Sequence, residues 1–174
     1  EYMLVKASIA GAIVTITRLV TARSLRVPAV DLPTWRLAWT PPDELTLGAG
    51  PDYPFGLALA PDGRRLVFPA SQHGNGQLWI RDLSSGDSQP LAGTDGARFP
   101  FWSPDSRSIG FFANDTVNRI DIDGGSLKAL ARAPVGAGGT WSRAGVILFP
   151  PVPDAPIMRV PDVGGEVAPV TGYQ

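Results

Sequence analysis

A block of about forty residues recurs three times along this chain, and nothing else in it narrows the fold so far. Ala60-Pro61-Asp62-Gly63-Arg64-Arg65-Leu66-Val67-Phe68 matches Ser103-Pro104-Asp105-Ser106-Arg107-Ser108-Ile109-Gly110-Phe111 at an offset of 43. Trp141-Ser142-Arg143-Ala144-Gly145-Val146-Ile147-Leu148-Phe149 is a weaker third copy. Its Trp141-Ser142 matches Trp102-Ser103 at an offset of 39. It keeps the glycine but loses the Pro-Asp pair and one residue. A second element follows each copy. Asp82-Leu83-Ser84-Ser85-Gly86 matches Asp121-Ile122-Asp123-Gly124-Gly125 at 39, and Arg119 to Gly125 matches Arg159 to Gly165 at 40.

Each element has a direct physical reading. Proline sets φ for the first central position of a tight turn, and Asp and Gly complete it. Short apolar runs flank the turn, such as Phe55-Gly56-Leu57-Ala58-Leu59 before and Arg65-Leu66-Val67-Phe68 after, which predicts a β-hairpin. The Asp-x-x-x-Gly element is a second turn, between a third strand (Leu78 to Leu83) and a fourth (Ser88 to Leu91). Each unit is therefore a four-stranded antiparallel meander, the pattern of a propeller blade. Blades are expected near residues 53–94, 97–132 and 138–172.

The stretches APDGRRLVF, FPFWSPDSRSIGFF and RIDIDGG resemble the WD40-like propeller repeats of the TolB type. They are also similar to the propeller regions that follow the membrane segment in some bacterial serine/threonine kinases. The resemblance covers roughly residues 53–171. It implies an all-β partial propeller, a binding role, and a periplasmic or membrane-associated location in bacteria. It brings no catalytic residues, because the matching positions are turn and core positions. The kinase glycine loop, HRD and DFG motifs are absent from the sequence.

Composition agrees with blades. Twenty glycines and eighteen prolines in 174 residues forbid a mostly helical chain. A 44% apolar content, with 18% charge and five tryptophans, is enough to build a core. The net charge of −1, with the two signs interspersed, leaves no nucleic-acid footprint. Lacking cysteine, the chain cannot use disulfides, thiolate zinc sites or a Cys nucleophile. With one histidine, His73, a single chain cannot form a multi-histidine metal site.

Residues 1–34 read as a separate N-terminal segment and linker, and 35–174 as a half propeller. The uncharged stretch Ala7 to Thr17 is too short for a spanning helix and is bracketed by Lys6 and Arg18, as in a remnant of a membrane anchor. Val5, Ile9, Ile13, Ile16 and Val20 fall at helical spacing, which predicts an amphipathic helix. The rival is an extended segment, because Ile13 to Thr17 is wholly β-branched. Thr34 to Leu47 reads as an extra extended stretch, with Trp35 and Trp39 four apart.

Propellers close with four to eight blades, so three blades leave two raw sheet faces. A homodimer pairing through the terminal blades would complete a six-bladed ring. The alternative is a fragment of a longer chain, in keeping with a first residue of Glu1.

Individual residues divide into turn, core and site candidates. Asp62, Asp82, Asp105, Asp121 and Asp123 recur at turns, where Asp bonds its own backbone. Trp102 and Trp141 precede equivalent turns and are expected in the core between blades. Trp79, at the start of a third strand, is expected to pack on a neighbour. Gly136-Ala137-Gly138-Gly139 predicts close backbone approach. His73, in Ser71-Gln72-His73-Gly74-Asn75-Gly76, sits where blade one is four residues longer than blade two. It reads as a loop insertion and as a weak catalytic or metal-ligating candidate, with Asn114 as a second metal candidate.

Two functions follow. The first is a non-catalytic binding module with a ligand or protein partner at the channel mouth, without cofactor. The second is a metal-dependent, esterase- or lactonase-like hydrolase using a divalent metal in the channel of a dimeric ring.

Overall fold

The computed structural model describes residues 4–9, 12–17, 44–47 and 56–170. The chain divides into two units, Glu1–Trp39 and Thr40–Gln174. In the first, β1 (Leu4–Ile9) and β2 (Ala12–Thr17) pair antiparallel, with Leu4 opposite Thr17 and Ile9 opposite Ala12. This corrects the helical reading of Val5, Ile9, Ile13 and Ile16. The run Ile13-Val14-Thr15-Ile16-Thr17 crowds a helix at every χ1 and suits a pleated strand. Val20, the linker at 23–34, Trp35 and Trp39 lie outside the described residues. Among the described residues, no helix is long and apolar enough to cross a membrane.

The second unit holds three antiparallel meanders. Blade one contains β3 (Leu45–Leu47), β4 (Ala58–Leu59), β5 (Arg65–Gln72), β6 (Asn75–Asp82) and β7 (Ser88–Pro90). Blade two contains β8 (Arg98–Trp102), β9 (Ser108–Ala113), β10 (Thr116–Asp121) and β11 (Lys128–Arg132). Blade three contains β12 (Thr140–Trp141), β13 (Val146–Phe149), β14 (Met158–Pro161) and β15 (Ala168–Pro169). In blade one, two pieces share the inner position against β5. Ala58 and Leu59 face Val67 and Leu66, while Leu45 to Leu47 face Gln72 to Ala70.

The repeated sequence produces repeated hydrogen bonds. The first turn closes through Gly63 N–H to Ala60 O (2.8 Å), Ser106 N–H to Ser103 O (3.0 Å) and Gly145 N–H to Ser142 O (3.1 Å). The fourth residue of this turn needs a left-handed backbone, with φ of 72°, 62° and 72° at Gly63, Ser106 and Gly145. Glycine adopts it freely, whereas Ser106 carries a side chain there. The far end of each third strand is pinned to the same turn by Leu83 N–H to Arg64 O, Ile122 N–H to Arg107 O and Asp162 N–H to Gly145 O.

Side chains alternate along every strand, so each blade presents two faces. Val67, Leu78 and Ile80 of blade one pack with Trp102, Ile109, Phe111 and Ile120 of blade two. The opposite face of blade two, Phe101, Phe112 and Val117, packs with Trp141, Ile147, Phe149 and Val160 of blade three. Trp102 and Trp141 are 7% and 9% exposed, which places both in the cores between blades, as the sequence implies. Trp79 differs. It pairs with Phe68 on the face of blade one turned away from blade two, and it is buried there with Phe68 and Ala70. Leu59 of blade one's inner strand and Leu57 just before it are exposed apolar residues.

Candidate functional site

The two hairpin-tip candidates are turn residues. His73 and Gly74 have φ of 52° and 88°, and Gln72 pairs with Asn75 across them. Asn114 and Asp115 have φ of 50° and 58°, and Ala113 pairs with Thr116. Both are two-residue loops with two positive φ values, the geometry that suits the right-handed twist of a hairpin. His73 is thus not in a loop insertion. The four extra residues lengthen the ladder by two rungs, so that β5 and β6 have eight residues each against six in β9 and β10. The added rungs give Leu45–Leu47 its pairing edge. His73 and Asn114 are exposed, each at the tip of its own hairpin. Among the described residues, no three His, Asp or Glu side chains gather as metal ligands.

Three of the recurrent aspartates serve their own turns, whereas Asp121 accepts from the side chains of Ser108 and Arg119 instead of its own backbone. Asp62 Oδ1 accepts from Arg64 N–H (2.9 Å). Asp82 Oδ1 accepts from the N–H groups of Ser84 and Ser85 and from the Ser84 hydroxyl, and these bonds hold its carboxyl below the ordinary value. Asp105 accepts from Ser103 Oγ (2.6 Å) and Arg107 N–H (3.1 Å), and the Ser103 bond lowers its pKa most. The Gly136 to Gly139 stretch takes aromatic rings instead of a phosphate. A Cβ on Gly136 would lie 2.1 Å from the Phe112 ring, and one on Gly139 would lie 2.7 Å from Phe101.

Sequence reasoning missed the arginine that organises the seam between blades two and three. Arg119 stands on β10, on the face turned toward blade three. Its guanidinium lies 5.2 Å above the Trp141 ring. Nη2 donates to Asp121 Oδ1 (3.1 Å) and Ser108 Oγ (3.3 Å), and Nη1 to Asp162 O (3.3 Å). Trp141 Nε1–H donates to Asp162 Oδ2 (3.2 Å), which lies 3.9 Å from Arg119 Nη1. Ser108 donates to Asp121 at 2.5 Å, and this bond is the main cause of Asp121's lowered pKa, ahead of Arg119. The match of Arg119 to Arg159 in the repeat was the available signal.

Above this cluster opens a cleft of about 380 Å³ between blades two and three. Ser103, Asp105, Arg119, Trp141, Arg143 and Asp162 are among its walls. A second hollow, of about 620 Å³, adjoins it over Arg107, Asp121 and Asp123, and shares Asp105, Ser108 and Arg119. Arg107 and Arg143 are exposed, whereas Arg119 is held by its partners. The cleft therefore offers one exposed cation, Arg143, and carboxylate acceptors beside Trp141, and the adjoining hollow adds Arg107. Such walls present hydrogen-bond donors and acceptors together.

Three stacked four-stranded meanders with this seam are part of a β-propeller. Solved structures agree on the fold. A protein assigned as TolB from Agrobacterium tumefaciens aligns with a TM-score of 0.57 at 18% identity, over 71% of this chain and 51% of that one. TolB from Acinetobacter baumannii aligns with a TM-score of 0.55 at 22% identity, over 67% and 32%. Virginiamycin B lyase from Staphylococcus aureus aligns with a TM-score of 0.51 at 21% identity, over 71% and 44%. The chain thus spans about half or less of the length of these propellers. No family model and no curated protein matches the sequence.

Proposed function

We propose that this chain is a non-catalytic interaction module that holds a polar peptide segment of a protein partner. The observation that carries this reading is the cleft between blades two and three, whose walls combine Arg143, Asp105 and Asp162 with Trp141. It refines the channel-mouth expectation to one inter-blade seam. The resemblance of the repeats to TolB supports the same reading, and supports a periplasmic setting for it.

Peptide display on the immobilised full chain tests this proposal. Selected peptides should shift the Trp141 Nε1–H resonance and lose binding in Arg143→Glu. Peptides that instead shift the His73 and Gly74 amides, or a failure to select any peptide, would count against the cleft.

A further inference from the structure

Blade three has one face in the core and one face open. Ile147, Phe149 and Val160 point into the core shared with blade two. Leu148, Val146, Arg159 and Pro161 alternate with them, and so lie on the other face. A shallow cavity of about 200 Å³ lies there, lined by Val146, Arg159, Pro161, Glu166 and Ala168.

This open face repeats, position by position, the face that blade two uses to hold blade three. Arg159 matches Arg119 in the repeat. Arg119 pairs across the ladder with Gly110, and Arg159 with Leu148. In blade two, Phe101 fills the space above Gly110, where a Cβ would lie 2.2 Å from its ring. In blade three the two positions are Thr140 and Leu148, which pair in the same register. Large-over-small has become small-over-large, and the volume of the face is kept.

The charges are not kept. Arg119 has Asp121 and Ser108 in its own blade. The matching positions around Arg159 are Pro161 and Val146. Arg159 is exposed and makes no hydrogen bond or ion pair among the described residues. Glu166 lines the same cavity but makes no ion pair with it, so the guanidinium is left for whatever covers the face. Arg119 shows what fits, namely a Trp on the innermost strand and an Asp just after the third strand of the next blade.

We propose that the open face of blade three docks a further propeller blade of the blade-three type, and that Arg159 selects it through that Trp and Asp. A second copy of this chain meeting it through blade one is a poorer fit. Blade one carries Leu59 and Leu83 at the two positions. This inference concerns a different surface from the peptide cleft and does not rest on it.

The test is a chain extended after Gln174 by a second copy of residues 133–174, compared with the unextended chain by amide hydrogen exchange. The extension should slow exchange in Val146–Phe149 and Met158–Pro161 about tenfold or more. Arg159→Ala should abolish that slowing in the extended chain and change little in the unextended one. Changing the appended tryptophan to Leu should have the same effect, with no further loss when the two changes are combined. Equal effects of Arg159→Ala in both chains would overturn the proposal. So would an appended copy that exchanges as freely as an unfolded tail. An unextended chain that scatters light as a dimer, and falls apart on Arg159→Glu, would assign the face to a second copy instead.

Discussion

Asp105 shows how a single side chain can be mistaken for a ligand. Its Oδ1 accepts from Ser103 and from the Arg107 amide, so that half of the carboxylate fixes a turn. The Ser103 bond lowers its pKa below the ordinary 3.8, as the Ser108 bond does for Asp121. A carboxyl depressed in the folded state stabilises it fully above the unfolded value, and that contribution fades as pH falls through the folded value. Stability should therefore drop below about pH 4, and Asp105→Asn should flatten that part of the acid-unfolding curve. Asp62→Ala should lower the denaturant midpoint slightly and leave the m-value unchanged. Gly110 works by absence. Gly110→Ala would force a Cβ into the Phe101 ring and should cost about 1–3 kcal/mol by chemical denaturation.

At the level of elements, the tryptophans tie one blade to the next. Trp102 Nε1–H donates to Ala58 O in blade one at 2.9 Å. Trp102→Ala should cost about 3–5 kcal/mol, and Trp102→Phe about 1 kcal/mol for the lost bond, both read from urea midpoints. The turns of blades one and two were legible in the sequence, because Pro-Asp-Gly, Pro-Asp-Ser and Asp-x-x-x-Gly specify turn conformations locally, and blade three, without the Pro-Asp pair, was legible through the register of the repeat. The N-terminal strands were less so. In a nearly continuous apolar run, helical spacing arises without meaning, and only the β-branched block Ile13 to Thr17 separates the two outcomes. The longer hairpin of blade one also misled, because four extra residues look alike in a sequence whether they loop out or add rungs. The Arg119 cluster could be read as repeat register but not as a site, since its partners Asp162 and Trp141 belong to another blade. Deleting Ser71, Gln72, Asn75 and Gly76 should keep the His73-Gly74 turn and remove two rungs. Amide exchange should then rise at Leu45 and Thr46, while blade two stays protected.

Across the whole molecule, the blades form a row in which each touches only its neighbours, so stability should be graded along it. Blade two is covered on both faces, and every residue of β9 is buried. Ile109–Ala113 should give the slowest-exchanging amides in the protein, with Val146–Phe149 clearly faster. Equal protection in the two strands would mean that blade three is covered in solution. The homodimeric ring expected from the sequence predicts such cover from a second copy, and light scattering separates that case from an 18.4 kDa single chain. Phe68, Ala70 and Trp79, on the face of blade one turned away from blade two, are buried in the single chain. The first turn of blade three is one residue shorter than its counterparts, closing from Ser142 to Val146 where the others close from Ala60 to Arg65 and Ser103 to Ser108. It still delivers Trp141, Ile147 and the Gly145 carbonyl to their usual partners. The turn thus acts as a splice point, where chain length can change while the register on either side is preserved. A reporter peptide inserted at Arg143-Ala144 would sit at the rim of the cleft and leave the blade beneath it intact.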